Sequence, residues 1–193
     1  MSYLKERIMK DGQVFPGNVL KIDSFLNHQI DPHVMHEIEL ELFNYFKTRP
    51  ITKVLTVEAS GIAPAIMVAA RFDVPMLFAK KQEASTTARD DRYSAEVYSY
   101  TKQKSYNVFV SQQYLTSDDH VLIIDDFLAN GQAALGLAEI VRQAGAVVEG
   151  VGICVEKSFQ PGRQLLEEAG IDVYSVARIA SLDNNTVRFK EGN

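Results

Sequence analysis

The sequence predicts an α/β protein whose central, mainly parallel sheet is flanked by helices. The main observation is that short runs rich in β-branched residues alternate with helical patterns, which is typical of strand–helix–strand units. The chain has 193 residues, 46% hydrophobic and 23% charged, which is typical of a globular protein rather than a disordered or collagen-like one. No repeat, low-complexity tract or linker interrupts it, so we expect one domain over residues 1–193.

The first half of the chain contains the clearest helix signal. Asp31 and Pro32 are favourable residues for the cap and the first position of a helix. Apolar residues then recur every four positions, which places them on one helix face: Val34, Ile38, Leu42 and Phe46. The following segments predict a strand, a helix and a strand over residues 53–58, 63–72 and 74–79.

The second half continues this alternation after one interruption. Residues 80–92 are a long polar stretch, and a loop of that length inside a compact domain is usually functional or disordered. Beyond it we expect strands over residues 95–101, 107–111, 120–125, 147–155 and 173–179. We expect helices over residues 132–144, followed by Gly145 as a C-terminal cap, and 164–169.

Charge and cysteine content exclude several classes of function. The formal net charge of −5 disfavours a general nucleic-acid or anionic-membrane binder, because both need a basic surface. The one cysteine, Cys154, lies in an apolar run and suits the core of a protein in a reducing compartment. Residues 1–11 lack the apolar core of a signal peptide, and no apolar run approaches the roughly 18 residues of a membrane helix. We therefore expect a cytoplasmic protein without a nucleic-acid or membrane partner.

Residues 121–136, VLIIDDFLANGQAALG, carry the strongest chemical signal. An apolar strand ends in two adjacent acids, Asp125 and Asp126, and a loop with Asn130-Gly131 leads into a helix. Ligands of open α/β sheets bind beyond the carboxyl ends of strands, and the N–H groups that begin a helix can hold a phosphate. Two repelling acids need a cation or hydroxyl donors beside them, which a ribose diol with Mg²⁺ would supply. A single acid would be better explained as the start of a turn, but the whole pattern favours a ribose 5-phosphate site.

The segment VLIIDDFLANGQA resembles the phosphoribosyl pyrophosphate (PRPP) binding motif of the type I phosphoribosyltransferases. The resemblance covers almost the whole chain and is closest to the bacterial branch that acts on xanthine, with further similar stretches at residues 19–32, 58–65 and 155–162. It implies the type I phosphoribosyltransferase fold, with a core at about residues 36–180. A small hood subdomain would be formed by the N-terminal region, about residues 1–35, and by C-terminal segments.

The resemblance also assigns roles to the strongest motif. It implies that Asp125 and Asp126 are catalytic, and that Mg²⁺ reaches them through PRPP rather than through direct protein ligands. The implied phosphate loop consists of Leu128, Ala129, Asn130, Gly131, Gln132 and Ala133. Many family members have Thr or Gly at positions 130, 132 and 133 of this sequence, so backbone amides must carry more of the phosphate binding here.

Two further segments are implied to bind the pyrophosphate part of PRPP. The first is the loop after the strand 53–58, with Ala59, Ser60 and Gly61, although alone it would be taken as an ordinary turn. The second begins at Lys81, an implied pyrophosphate contact, and continues as a lid over residues 81–94 that would exclude water. Six basic and four acidic residues make the segment 79–104 locally positive, and a solvated surface loop is the alternative for single residues such as Arg89 and Arg92.

Purine recognition is expected from the hood and from the end of a late strand. The predicted purine-binding residues are Leu20, Asn27, Glu156, Lys157 and Phe159. Leu20 would form an apolar lid, and Asn27 would pair with the base. Lys157 would donate to an oxo group, Phe159 would stack on the ring, and Glu156 would contribute backbone contacts. Core packing is the alternative for Leu20 and Phe159, whereas Asn27 and Lys157 are harder to explain as core residues.

Together these features predict a Mg²⁺-dependent enzyme of purine salvage. It would transfer the 5-phosphoribosyl group of PRPP to N9 of xanthine, giving xanthosine 5′-monophosphate and pyrophosphate, and the resemblance implies a homodimer. The alternatives are a hypoxanthine–guanine or adenine phosphoribosyltransferase, and a PRPP-sensing transcription regulator without catalysis. The regulator is less well supported, because the residues before Glu58 match the enzymes rather than a basic DNA-binding module.

Overall fold

The computed structural model describes residues 2–83, 91–99, 103–183 and 186–191. The helices are α1 (Tyr3–Asp11), α2 (Pro32–Phe46), α3 (Ile62–Phe72), α4 (Gln132–Gln143) and α5 (Gly162–Glu168). The strands are β1 (Gln13–Phe15), β2 (Val19–Lys21), β3 (Lys53–Val57), β4 (Met76–Glu83), β5 (Arg92–Ser99), β6 (Lys104–Ser111), β7 (His120–Leu128), β8 (Val147–Lys157), β9 (Val173–Ser181) and β10 (Arg188–Phe189). Residues 84–90 of the predicted lid, with Arg89, and the end of the predicted strand 95–101 lie outside the described residues. No helix in the described ranges is long and apolar enough to cross a membrane.

Strands β3 to β10 form one sheet in the order β10-β9-β8-β7-β3-β4-β6-β5. The five central strands, from β9 to β4 in that order, are parallel, and β10, β6 and β5 pair in the antiparallel sense. The predicted α/β class with a central, mainly parallel sheet is therefore confirmed.

Helices cover both faces of this sheet. On one face the predicted stripe of α2 is completely buried: Val34, Ile38, Leu42 and Phe46. On the other face α4 buries its own apolar side, including Leu137, Ile140 and Val141. Neighbouring residues of a strand point to opposite faces, so Ile124 of β7 packs with α2 whereas Ile123 packs with α4.

The N-terminal segment contains a helix and a hairpin that were not predicted from the sequence. Leu4 and Ile8 lie one turn apart on α1 and are buried in the same cluster as α2. β1 and β2 pair as an antiparallel hairpin, and its turn places Gly17 and Asn18 at positive φ. A π-helical turn, Asp23–Asn27, then leads to α2, whose N-terminus Asp31 caps as predicted.

Strand β4 is longer than predicted. Residues 80–83 were expected to begin a polar loop, but they pair with residues 106–109 of β6. A hydrogen-bonded partner strand therefore overrides the polar composition of this stretch.

Strand β7 is also longer than predicted, and this difference affects the candidate site. The prediction that the strand ends at the two acids was wrong, because Phe127 and Leu128 continue the pairing with Val155 and Glu156 of β8. Asp125 and its neighbour therefore lie within the strand, and the loop begins three residues later than expected.

We expect Leu42→Ala to lower the free energy of unfolding by about 2–5 kcal/mol, because it opens a cavity in the core. Leu42 is fully buried, and a Cβ added to Gly152 of β8 would stand only 2.9 Å from its Cδ2 atom. Met9→Ala is the matched control: it also removes three heavy atoms, but Met9 is 53% exposed, so we expect a cost below about 0.5 kcal/mol. Urea unfolding followed by circular dichroism measures both, and equal costs would contradict the packing described.

Candidate active site

The candidate site lies at the edge of the sheet where the parallel strands β3, β7 and β8 end. The loop 58–61 follows β3, the loop 129–131 follows β7, and the turn 158–161 follows β8. Each of these segments leads directly into a helix, α3, α4 or α5. Because parallel strands end at the same edge, the three segments are neighbours in space, as in other open α/β sheets that bind ligands.

The two acids of β7 occupy different environments. Asp125 is 7% exposed, and its Oδ1 accepts a hydrogen bond of 3.0 Å from the backbone N–H of Asp126. Burial, together with the negative charge of Asp126, raises the pKa of Asp125 well above its usual value. Asp126 is half-buried, and its Oδ2 accepts a hydrogen bond of 2.5 Å from Nδ2 of Asn27. One carboxyl group is therefore enclosed by the core, and the other contacts the N-terminal segment.

A small pocket lies at the N-terminus of α4. Its volume is about 160 Å³, and Tyr98 and Ser99 of β5 line one side of it. All residues predicted for the phosphate loop line the pocket: Leu128, Ala129, Asn130, Gly131, Gln132 and Ala133. Gly131 has a φ of +75°, which L side chains rarely adopt, so glycine allows the loop to turn into the helix. The helix N-terminus provides unpaired N–H groups and a partial positive charge at this pocket.

The phosphate loop lies against the first residue of α5. The backbone N–H of Gly162 donates a hydrogen bond of 2.9 Å to the carbonyl oxygen of Ala129. A Cβ at Gly162 would stand 2.4 Å from that oxygen and 2.8 Å from the nitrogen of Gly131, so this approach requires glycine. Gly162 belongs to the stretch 155–162 that supports the family resemblance, but no role in the site was predicted for it.

The loop after β3 approaches Asp125 from the other side. The peptide bond between Glu58 and Ala59 is cis. A Cβ at Gly61 would stand 2.1 Å from Oγ1 of Thr56 and 3.2 Å from Oδ1 of Asp125, so the absence of a side chain lets the loop close on the acid. Oγ1 of Thr56 is buried and has no hydrogen-bond partner among the residues described. Ala59 itself is exposed, and the Ser60 that follows it is half-buried.

Lys81 lies on β4 beside this loop. Its backbone N–H donates a hydrogen bond of 2.7 Å to Oε1 of Glu58, and its side chain is exposed. The Nζ atom is 5.6 Å from the centre of the Tyr106 ring. The positive charge of Lys81 partly opposes the rise that burial causes in the pKa of Asp125, so the lysine is within electrostatic reach of the acid.

Two predicted purine-binding residues come from the N-terminal segment. Leu20 is 6% exposed and belongs to the hydrophobic cluster of α1 and α2, which was the alternative interpretation for it. Asn27 lies at the end of the π-helical turn and is joined to Asp126 by the hydrogen bond described above. The purine contacts of both residues stay predictions.

The end of β8 carries the other predicted purine-binding residues. Nζ of Lys157 donates a hydrogen bond of 2.9 Å to the carbonyl oxygen of Asn18 and lies 5.6 Å from the centre of the Phe127 ring. Burial lowers the pKa of Lys157. Phe159 is 38% exposed in the turn after the strand. Their purine contacts also stay predictions.

Glu156 is 1% exposed and lies at the centre of a hydrogen-bond network that was not predicted from the sequence. Its Oε2 accepts hydrogen bonds from Nε and Nη2 of Arg163 at 2.9 and 2.8 Å, and from Oγ of Ser175 at 2.6 Å. Its Oε1 accepts from Oγ of Ser158 at 2.5 Å and from Nε of Arg178 at 3.1 Å. Burial alone would raise the pKa of Glu156, but the hydrogen bonds from Arg163 and the two serines outweigh it and lower the pKa to about 2.

The oxygen atoms at the site suit a metal ion that arrives with a substrate. Within the described part of the chain, His, Cys, Asp and Glu side chains form no group of three that could hold a metal. The carboxyl oxygens of Asp125 and Asp126 and the unpartnered Thr56 hydroxyl are hard donors of the kind that Mg²⁺ prefers. They fit Mg²⁺ if substrate phosphates and water complete its ligands.

Comparison with known sequences finds close relatives over the whole chain. Xanthine phosphoribosyltransferase of Listeria innocua is 56% identical over 191 residues, which cover 99% of both chains. That of Macrococcus caseolyticus is 56% identical over 187 residues, 97% of this chain and 96% of the relative. That of Streptococcus uberis is 54% identical over 193 residues and the full length of both. No protein-family model matches the chain.

Solved structures establish the fold independently. APRTase from Giardia lamblia, complexed with 9-deazaadenine, superposes with a TM-score of 0.76 at 23% identity and covers 94% of this chain and 99% of its own. Adenine phosphoribosyltransferase from Rhodothermus marinus gives a TM-score of 0.73 at 22% identity, covering 93% of this chain and 100% of its own. The chain has the type I phosphoribosyltransferase fold, and by its sequence it belongs to the xanthine phosphoribosyltransferase family.

Proposed function

We propose that the protein is a purine-salvage enzyme that transfers the 5-phosphoribosyl group of PRPP to N9 of xanthine, giving xanthosine 5′-monophosphate and pyrophosphate. The observation that carries this proposal is the continuous run from Asp125 to Gly131, in which two acids of β7 lead into a phosphate-sized pocket at a helix N-terminus. The names of the close relatives support xanthine as the purine. A cytoplasmic location is part of the proposal, because Cys154 is a buried free thiol.

PRPP would bind along the edge of the sheet. Its 5-phosphate would occupy the pocket of about 160 Å³, where backbone N–H groups and the dipole of α4 hold an anion without a lysine. The ribose hydroxyls would lie at Asp125 and Asp126, five to seven residues before Gly131 and Gln132. The pyrophosphate would lie between the loop 59–61 and Lys81.

The reaction forms the bond from purine N9 to ribose C1 while the bond from C1 to the pyrophosphate oxygen breaks. Positive charge develops on the ribose and negative charge on the leaving group, so fixed charges near both lower the barrier. The carboxylate of Asp126 would hold the ribose hydroxyls near the developing positive charge. Lys81 and the amides of Ser60 and Gly61 would stabilise the departing pyrophosphate. Bound Mg²⁺ would neutralise further charge on the pyrophosphate oxygens, and the N9 proton passes to water.

Asn27 would connect the purine with the ribose. It donates one N–H to Asp126, which leaves its second N–H and its carbonyl oxygen for a purine edge. Lys157 would donate to an oxo group of the base, and Phe159, which is 38% exposed, would stack on the ring.

We expect Asp125→Asn with Asp126→Asn to lower kcat by about 100-fold or more, because the ribose loses its charged contacts at the position where charge develops. Circular dichroism should show an unchanged fold. The matched control is Glu167→Gln with Glu168→Gln, which neutralises two adjacent, exposed acids on α5 and should leave kcat unchanged. Near-normal activity of the Asp125/Asp126 variant would refute the ribose assignment.

A purine panel tests the proposed reaction itself. With PRPP and Mg²⁺, we expect kcat/KM for xanthine to exceed that for guanine and hypoxanthine by at least about tenfold, since polar contacts discriminate between purine edges. Adenine should give no product. Strong turnover of adenine would overturn the assignment of an oxopurine substrate. A preference for hypoxanthine or guanine would overturn the assignment of xanthine as the substrate. PRPP binding without any product would favour a regulator that lacks catalysis.

We further propose a homodimer that forms through an apolar groove of about 450 Å³ between α2 and α3. Ile30 and Ile66 line this groove and are 50% and 49% exposed, and Ala59 of the pyrophosphate loop borders it. A second copy bound there would therefore lie next to the site. Sedimentation velocity should give a dimer for the unmodified chain and a monomer for Ile66→Glu, and a monomer at every concentration of the unmodified chain would refute the proposal.

A further inference from the structure

Two parts of the site are joined to one ion pair. The phosphate loop contacts α5 through Gly162, and the turn 158–161, here called the purine-side turn, begins two residues after Glu156. Arg163 follows Gly162 in the chain and pairs with Glu156 at 2.8 Å. We propose that Glu156 and Arg163 are positioning residues, which hold the phosphate loop and the purine-side turn at the separation that the two substrates require. This inference rests on the proposed function.

The first connection runs from the pair to the phosphate loop. Arg163 binds Oε2 of Glu156 through two nitrogen atoms, and its Nη1 donates a hydrogen bond of 2.9 Å to the carbonyl oxygen of Val173 on β9. A planar guanidinium held at three donors restricts the positions that its own backbone can take. That backbone is the start of α5, where Gly162 donates to Ala129. A shift of the guanidinium would therefore move the wall behind the 5-phosphate pocket.

The second connection runs from the pair to the purine side. Oγ of Ser158 donates a hydrogen bond of 2.5 Å to Oε1 of Glu156, and its backbone N–H donates to the carbonyl oxygen of Ile179 at 2.8 Å. Ser158 lies between Lys157 and Phe159, the two residues proposed to bind the base. Its hydroxyl bond therefore fixes the turn from which both side chains extend.

A purely stabilising role does not account for this arrangement well. A buried ion pair is weak evidence for stability, because the desolvation of both charges offsets most of their attraction. Here the Glu156 side chain is 1% exposed and the Arg163 side chain 15% exposed. One hydrogen bond to Glu156 comes from Ser158 of the purine-side turn, others join the pair to β9, and the backbone N–H of Gly162, next to Arg163, binds the phosphate loop. Arg163 also has an exposed partner, Glu167, at 3.2 Å. Among the residues described, its carboxyl group forms no ion pair with either loop, so Glu167 supplies a control.

The test is steady-state kinetics of four single variants with xanthine and PRPP, with the melting temperature measured by circular dichroism. We expect Arg163→Lys to raise the KM for both substrates about tenfold with kcat nearly unchanged, since a small displacement of binding groups weakens binding strongly. Gly162→Ala should raise the KM for PRPP alone, because its Cβ would stand 2.4 Å from the carbonyl oxygen of Ala129. Ser158→Ala should raise the KM for xanthine alone. The control, Glu167→Gln, should change neither KM.

The outcomes separate this inference from the proposed function. If Arg163→Lys does not fold, Ser158→Ala decides the question, because it removes the hydrogen bond between Glu156 and the purine-side turn and leaves the ion pair in place. KM values equal to those of Glu167→Gln, or lower melting temperatures with unchanged KM values, overturn the positioning role. A rise in the KM for xanthine in Gly162→Ala, or in the KM for PRPP in Ser158→Ala, overturns the positioning role as well. An unmodified protein that makes no product from xanthine and PRPP refutes the proposed function instead.

Discussion

The pairing of β7 with β8 is the constraint on which the rest of the site depends. β7 stays hydrogen-bonded to β8 as far as Leu128, which lies opposite Glu156, whereas β3 pairs with β7 only as far as Ile123. Asp125 is therefore held in a strand on one side and meets the loop after β3 on the other, where Gly61 leaves room for its carboxyl group. The phosphate loop begins where the pairing with β8 stops. A shorter β7 would place the acids in a flexible turn, with no fixed distance to the helix N-terminus.

Burial has opposite consequences for the two most enclosed acids at this edge. Asp125 is buried beside a second carboxyl group, so its protonated form is favoured and its pKa rises. Glu156 is buried more completely, yet hydrogen bonds from arginine and serine lower its pKa to about 2. The first acid lies beside another carboxyl group, which suits a site that receives hydroxyl groups and a metal from its substrate. The carboxyl group of the second already has hydrogen-bond donors within the protein, and the backbone contacts of Glu156 to a purine stay a prediction.

Local patterns were sufficient to predict most elements and the loop 129–131. The buried stripe of α2 follows from spacing, and the loop 129–131 follows from small residues and glycine between a strand and a helix. The lengths of β4 and β7 could not be predicted, because each is decided by a neighbouring strand far away in the sequence. The contacts of Gly162 and Arg163 are likewise non-local and leave no periodic signal. Leu20 illustrates a different limit: an apolar residue suits both a lid and a core, and only the fold shows that it is buried with α2.

The negative charge of the chain does not conflict with a polyanionic substrate. The net charge of −5 is a property of the whole surface, and it argues against DNA, RNA or anionic membranes because these require an extended basic face. PRPP would cover only one edge of the sheet. There its phosphates would face amide groups and a helix N-terminus, with Lys81 beside the loop 59–61. Burial also raises the pKa of Asp125, which lowers the repulsion that two adjacent acids exert on a phosphate.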